Sequence, residues 1–199
     1  MPGVGPPEGF ADARLETHVA PVGQQFGRIY LGRYPDALGF GNTSSRFSDP
    51  RPANRFGVLY LGETLKVCFL EAVLRDQRDG VIGRLPIGEA ELHARHYAQI
   101  EVTTTLTLVD LRDDGAIVMG VPSDVAKATS QTLARRWSLA FHEHGAKPDG
   151  FIYPSRLNGH TNVAFFDRAI WKLRVVRKTT LMAAPGLARV LDDLKVGIV

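Results

Sequence analysis

Three consecutive blocks decide how this chain is read: Ser44-Ser45-Arg46-Phe47-Ser48-Asp49-Pro50, then Gly57-Val58-Leu59-Tyr60-Leu61-Gly62, then Glu63-Thr64-Leu65-Lys66-Val67-Cys68-Phe69-Leu70-Glu71-Ala72-Val73-Leu74-Arg75-Asp76. The second block is a short apolar run between two glycines, which predicts a strand. Thr64 is a good N-cap for a following helix. Leu65, Val67, Cys68, Phe69, Leu70, Ala72, Val73 and Leu74 then cover almost every direction around a helix axis, the mark of a buried helix. Glu71 interrupts it, on the face of Val67, Cys68 and Leu74. A carboxylate there needs a donor, a cation or a proton, because an unpaired charge is costly in hydrocarbon. Arg28 and Arg46 are the nearby candidates. The alternative is a Glu71 that leans out to solvent.

Working outward, 199 residues with 44% hydrophobic content suit one domain with a sizeable core. A net charge of +3 and a pI of about 9.2 permit contact with phosphates or an acidic partner. They do not argue for general nucleic-acid binding. The single cysteine, Cys68, excludes an internal disulfide and suits a reducing cytosol, so a cytoplasmic location is expected. The start, Met-Pro-Gly-Val-Gly-Pro-Pro-Glu-Gly-Phe, is no signal peptide, and no window is long and apolar enough for a membrane span.

Along the chain, residues 1–9 are rich in Gly and Pro and read as loose. Residues 10–22 are weakly patterned, with Asp12 able to cap a short helix. Phe26–Leu31 predicts a strand that places Arg28 and Tyr30 on one side. Residues 42–55 predict an ordered polar loop. A helix is expected over 88–98, one long or two short strands over 100–111, and a helix from Ser130 that carries Leu133, Trp137 and Phe141 and stops at Gly145. Gly150–Tyr153 predicts a short strand, 163–166 and 171–176 a strand pair, and 185–194 a terminal helix. Strands outnumber strong helices without alternating with them. This predicts an α+β fold with a mixed or mainly antiparallel sheet. The expected division is an N-terminal extension over 1–22, a catalytic domain over 23–176 and a helical tail over 177–199 packed on that domain.

Several chemistries lack their motif. His93 with His96, and His142 with His144, show no HExxH spacing, and no cysteine cluster accompanies them, so no metal is expected. Gly39-Phe40-Gly41 lacks the third glycine and following helix of a dinucleotide loop. No G-x-S-x-G elbow surrounds Ser155. What remains are polar residues flanking strand ends: Arg28, Tyr30, Arg46, Ser48, Tyr60, Glu71, Ser155 and Asn162. Each has a plain structural reading too: Arg46 as an ion-pair partner of Glu71, Tyr60 as a core tyrosine, Ser48, Ser155 and Asn162 as turn or cap residues.

Taken together, S-S-R-F-S-D-P, V-L-Y-L-G-E-T, F-L-E-A-V, D-G-F-I-Y-P-S-R and G-H-T-N-V-A-F-F resemble the RES domain in order and mutual spacing over about residues 26–166. The Arg, Glu and Ser that name the family fall at Arg46, Glu71 and Ser155. The resemblance implies an ADP-ribosyltransferase-like fold and a toxin neutralised by an Xre-type antitoxin. It also implies breakage of the nicotinamide–ribose bond of NAD, with ADP-ribose passed to an acceptor protein or, alternatively, to phosphate or water. Under it, Glu71 faces the ribose, where a carboxylate stabilises developing positive charge. Arg28 and Arg46 grip the pyrophosphate, with Arg33 a competitor for the place of Arg28. Tyr60 and Tyr30 offer a ring face to nicotinamide or fix the ribose by hydroxyl contact. Ser155 orients Glu71 or the ribose, and Ser48 and Asn162 complete the binding residues. The reading of another class is a non-catalytic basic RNA- or partner-binding module built on Arg135, Arg136, Lys172, Arg174, Arg177 and Lys178. Against it, aromatics are not interleaved with those cations.

Overall fold

The computed structural model describes residues 4–41, 44–53 and 56–199. Its strands are β1 (Thr17–Ala20), β2 (Gln25–Leu31), β3 (Val58–Gly62), β4 (Leu85–Ile87), β5 (Arg95–Val102), β6 (Leu106–Asp110), β7 (Gly150–Pro154), β8 (Thr161–Phe166), β9 (Leu173–Thr180) and β10 (Val196–Ile198). The helices are α1 (Leu65–Phe69), α2 (Glu89–His93), α3 (Gly115–Val118), α4 (Asp124–Lys127), α5 (Thr132–Glu143) and α6 (Leu187–Asp193). Eight strands form one sheet in the order β1-β6-β7-β8-β3-β2-β5-β9, and β10 pairs with β4 separately. In the large sheet only β6–β7 is parallel. The α+β class and the mixed, mainly antiparallel sheet are therefore as expected.

Strand alternation builds the core. Leu59, Leu61, Ile152, Val163 and Phe165 of one half of the sheet meet Phe26, Tyr30, Ala98 and Ile100 of the other half in one apolar cluster. Phe26 and Phe165 touch with ring centroids 5.7 Å apart. The sheet thus curls, and each half buries its opposite face under helices. Val58, Phe151 and Phe166 pack with Trp137 and Phe141 of α5. Ile29 and Tyr97 pack with Cys68 and Phe69 of α1.

Between the two halves the sheet parts. β3 pairs with β8 along its whole length and β2 pairs with β5 along its whole length, but β2 and β3 meet at one register pair, Gly27↔Gly62. That pair is glycine because α1 lies directly on it. A Cβ at Gly62 would stand 2.9 Å from Cys68 Sγ and 3.0 Å from Val67 Cγ1, and one at Gly27 would stand 3.0 Å from Cys68 Sγ. Beyond this contact the strands diverge and leave a cleft.

Several expectations need correcting. The helix expected over 88–98 ends at His93, and β5 begins at Arg95. Tyr97, Ala98, Ile100 and Val102 are buried between β2 and β9, so sheet pairing overrides the short helical pattern. The weakly patterned residues 10–22 contain β1, an edge strand with only Ala20 buried, and such a strand leaves no clean alternation to read. The strand pair expected from 163–166 and 171–176 does not form. A 3-10 segment, Asp167–Lys172, carries the chain across, and β9 pairs with β5 at the far edge. Positions 42, 43, 54 and 55 of the expected loop lie outside the described residues, as do 1–3 of the expected loose start.

Candidate active site

Glu71 owes its place to a defect in its helix. Thr64 caps α1 by accepting from Val67 N at 3.2 Å. The helix then widens into a π-helical turn, Leu70–Leu74, closed by Arg75 N donating to Leu70 O at 2.7 Å. Arg75 ends it with φ 43°. Such a turn inserts one residue into the helical register, and it recurs at functional sites. Leu70, Val73 and Leu74 stay buried, while half-buried Glu71 lines the cleft beside Gly62 and Asn162.

The carboxylate is fixed from the sheet. Ser155 Oγ donates to Glu71 Oε1 at 2.7 Å and Asn162 Nδ2 donates to the same oxygen at 2.8 Å. Oε2 has no hydrogen-bond partner among the described residues. Ser155 is only 4% exposed and is itself held, with Leu157 N donating to its Oγ and its own N–H donating to His160 O. Asn162 lies opposite both Gly62 of β3 and Tyr153 of β7, so the adjacent ends of β7 and β8 deliver the two donors.

The arginines do not neutralise Glu71, contrary to expectation. Arg46 Nη1 donates to Ala128 O at 2.8 Å and to Val125 O at 3.5 Å, at the C-terminal end of α4. Arg28 Nη1 donates to Ala37 O at 2.5 Å and Gly39 O at 2.6 Å. Neither makes an ion pair among the described residues. Two neutral donors hold the acid, because the guanidinium groups are drawn to carbonyls on the opposite walls. Both still line the cleft.

Tyr60 is tied to the loop that carries Arg46. Its hydroxyl accepts from Phe47 N at 2.8 Å and shares a hydrogen bond with Ser45 Oγ at 2.9 Å. Burial pushes its pKa up to about 12. The hydroxyl is thus engaged, which leaves the ring as the part that lines the cleft. Ser48 does not reach the cleft: its Oγ donates to Ser45 O and accepts from Ser45 N, closing the turn around Arg46. Tyr30 lies apart from Glu71, edge-on to His96 with ring centroids 5.8 Å apart. Arg33 is exposed and bonded to Tyr34, so Arg28 is the upstream arginine that lines the cleft. Cys68 lines it too, but burial pushes its thiol up to about 12, which argues against a thiolate nucleophile.

Sequence reasoning missed Arg75 and Arg156. Arg75 Nε donates to Glu71 O at 3.0 Å, and Arg156 pairs with Asp76 across the mouth. Arg156 follows Ser155 directly and Arg75 lies four positions after Glu71, and that closeness was the available signal. With them the described residues lining the cleft include four arginines, Arg28, Arg46, Arg75 and Arg156, and one carboxylate, Glu71, with Arg156 paired outward to Asp76. Such a surface suits an anionic ligand with one centre that turns positive. The cations of the alternative binding module are divided between α5 and the β9 edge, where Lys172 pairs with Asp149 and Arg174 with Glu101. No described helix is long and apolar enough to cross a membrane.

Comparison with known proteins agrees with this picture. The chain matches the RES domain over residues 27–184. It is 44% identical to "Probable toxin y4kH" of Sinorhizobium fredii (strain NBRC 101917 / NGR234) over 127 residues, 63% of this chain and 100% of that protein. Its fold matches a chain of the M. tuberculosis MbcT–MbcA toxin–antitoxin complex with a TM-score of 0.65 at 17% identity, covering 94% of each chain.

Proposed function

Because this chain belongs to the RES domain family, we propose that it is the toxin of a toxin–antitoxin pair that consumes NAD by cleaving the nicotinamide–ribose bond and passing ADP-ribose to an acceptor. One observation carries the reading: among the described residues, the sole carboxylate lining a four-arginine cleft has one oxygen fixed by Ser155 and Asn162 and the other without a hydrogen-bond partner.

The chemistry follows from that arrangement. As the C1′–N bond breaks, its electron pair moves to the pyridinium nitrogen and nicotinamide leaves neutral. Positive charge gathers on the ribose, and Glu71 Oε2 stabilises it or accepts from a ribose hydroxyl. Ser155 and Asn162 prevent the carboxylate from turning away. Arg28 and Arg46 offer their remaining N–H groups to the pyrophosphate. The acceptor oxygen then bonds to C1′ and releases its proton to solvent. A protein acceptor is the first reading. A second, inorganic phosphate, draws on a further recess on Ser155 lined by Lys127, by Arg112 and Arg156, which are paired with Asp110 and Asp76, and by Asp113. An antitoxin partner belongs to the same proposal, since a protein that shares this fold was solved as a toxin–antitoxin complex.

Purified protein incubated with NAD labelled in its ADP-ribose half tests the proposal. Nicotinamide should be released, and Glu71→Gln should slow release by about 10²–10³-fold with the fold retained. Label on a protein band identifies transfer to protein, and ADP-ribose phosphate formed only with added phosphate identifies the second reading. If no acceptor condition releases nicotinamide, the enzymatic reading fails.

A further inference from the structure

The cleft over Glu71 encloses about 380 Å³, and a second recess of about 750 Å³ opens beside it. The two share Arg28, Ile29, Ala72 and Arg75 as a common wall. Arg28 therefore stands at their junction. It is half-buried, donates to the carbonyls of Ala37 and Gly39, lies over the Tyr30 ring at 5.6 Å, and makes no ion pair among the described residues. Burial lowers its pKa, against the opposing pull of Tyr30 and Asp36 nearby. A cation so placed favours an anion at the junction.

The second recess has a different character. Its outer wall is the turn that Arg28 fastens to β2, and that turn presents Tyr34 and Phe40, which are 51% and 41% exposed. Arg33 lies over the Tyr34 ring at 5.1 Å. Gln77, Arg95 and Asp36 add donors and acceptors. Exposed rings beside polar groups suit a flat heteroaromatic base with hydrogen-bonding edges.

We propose that this second recess takes the adenine nucleoside half of the dinucleotide, with the pyrophosphate across Arg28 and the nicotinamide riboside half over Glu71. The placement rests on the reading that NAD is the substrate. It divides the site into a reacting lobe and an anchoring lobe, so that binding contacts far from the broken bond hold the ribose against Glu71.

The test titrates the full-length protein with AMP by calorimetry and measures NAD kinetics in parallel. The double variant Tyr34→Ala/Phe40→Ala removes the exposed rings, and Gln77→Ala serves if the double variant is poorly folded. The wild type should bind AMP. Either variant should weaken AMP binding and raise KM for NAD, about tenfold for the double variant, while kcat moves far less. If the wild type does not bind AMP, or if the variants leave both AMP affinity and KM unmoved, the proposal is overturned. Normal nicotinamide release with unmoved KM overturns only the recess. AMP binding that the variants abolish, in a protein that never releases nicotinamide, keeps the recess and overturns the NAD reading.

Discussion

Two residues, Glu71 and Tyr60, show how roles are divided in the cleft. On the proposed reading the carboxylate meets the ligand, while the tyrosine works through its neighbours. The Tyr60 hydroxyl holds Phe47 N and Ser45 Oγ, and Arg46 lies between those two positions in the chain. Tyr60→Phe leaves the Phe47 N–H without its partner, at a cost of about 1–3 kcal/mol. The loop should loosen and Arg46 with it. KM for NAD should therefore rise several-fold, by more than kcat falls, whereas Glu71→Gln acts on kcat. Steady-state kinetics of the two variants separate them, and equal losses in kcat would sink the assignment of Tyr60 as a positioning residue. Much of this was legible in the residues. Ser155 reads from the sequence as orienting Glu71 or the ribose, and its Oγ donates to Glu71 Oε1. The pairing of Glu71 with arginine was not borne out, because carbonyls from residues 37, 39, 125 and 128 claim those guanidinium groups. No local pattern announces a contact that spans 79 or 82 positions.

Among the elements, α1 and its π-turn matter most. The strand–cap–helix order of Gly57 to Asp76 was readable from the glycines, from Thr64 and from the apolar run. The widened turn was not, because the apolar residues surround the axis and fit either winding. The closeness of α1 to the Gly27–Gly62 pair positions that turn. Gly62→Ala places a methyl 2.9 Å from Cys68 Sγ and 3.3 Å from Cys68 N, so the helix must shift by several tenths of an ångström. Overpacking of this kind costs about 1–3 kcal/mol, or about 2–12 °C in Tm for a chain of this length. The displaced Glu71 should lose far more, tenfold or greater in nicotinamide release. A melting curve and an activity assay on one preparation check both, and unchanged activity with lowered Tm would detach the helix contact from the site.

Across the whole molecule, buried protons set the alkaline limit. Burial pushes Cys68, Tyr60 and Tyr97 up to about 12 and Tyr153 well above its ordinary value. In the unfolded chain these groups ionise near pH 9 to 10, so as pH rises the unfolded state gives up protons first. Stability from this source is fully present below about pH 9 and is lost toward pH 12. Melting temperature should be level between pH 7 and pH 8.5 and fall steeply above pH 10. Tyr97→Phe should flatten that fall, and a Tm independent of pH up to 11 would contradict the buried protonation.

By itself the sequence determined the α+β class, the strand and capped helix around Glu71, and the family resemblance on Arg46, Glu71 and Ser155. These depend on short-range pattern and on residue types in fixed order, which a linear chain displays openly. Only the tertiary structure decided which donors hold the acid, that β2 and β3 part beyond Gly27 and Gly62, and that Arg75 and Arg156 join the cleft. The reason is physical: a carboxylate takes the partners that geometry brings within about 3 Å. Here strand pairing sets the ends of β7 and β8 beside β3, which lies far earlier in the chain.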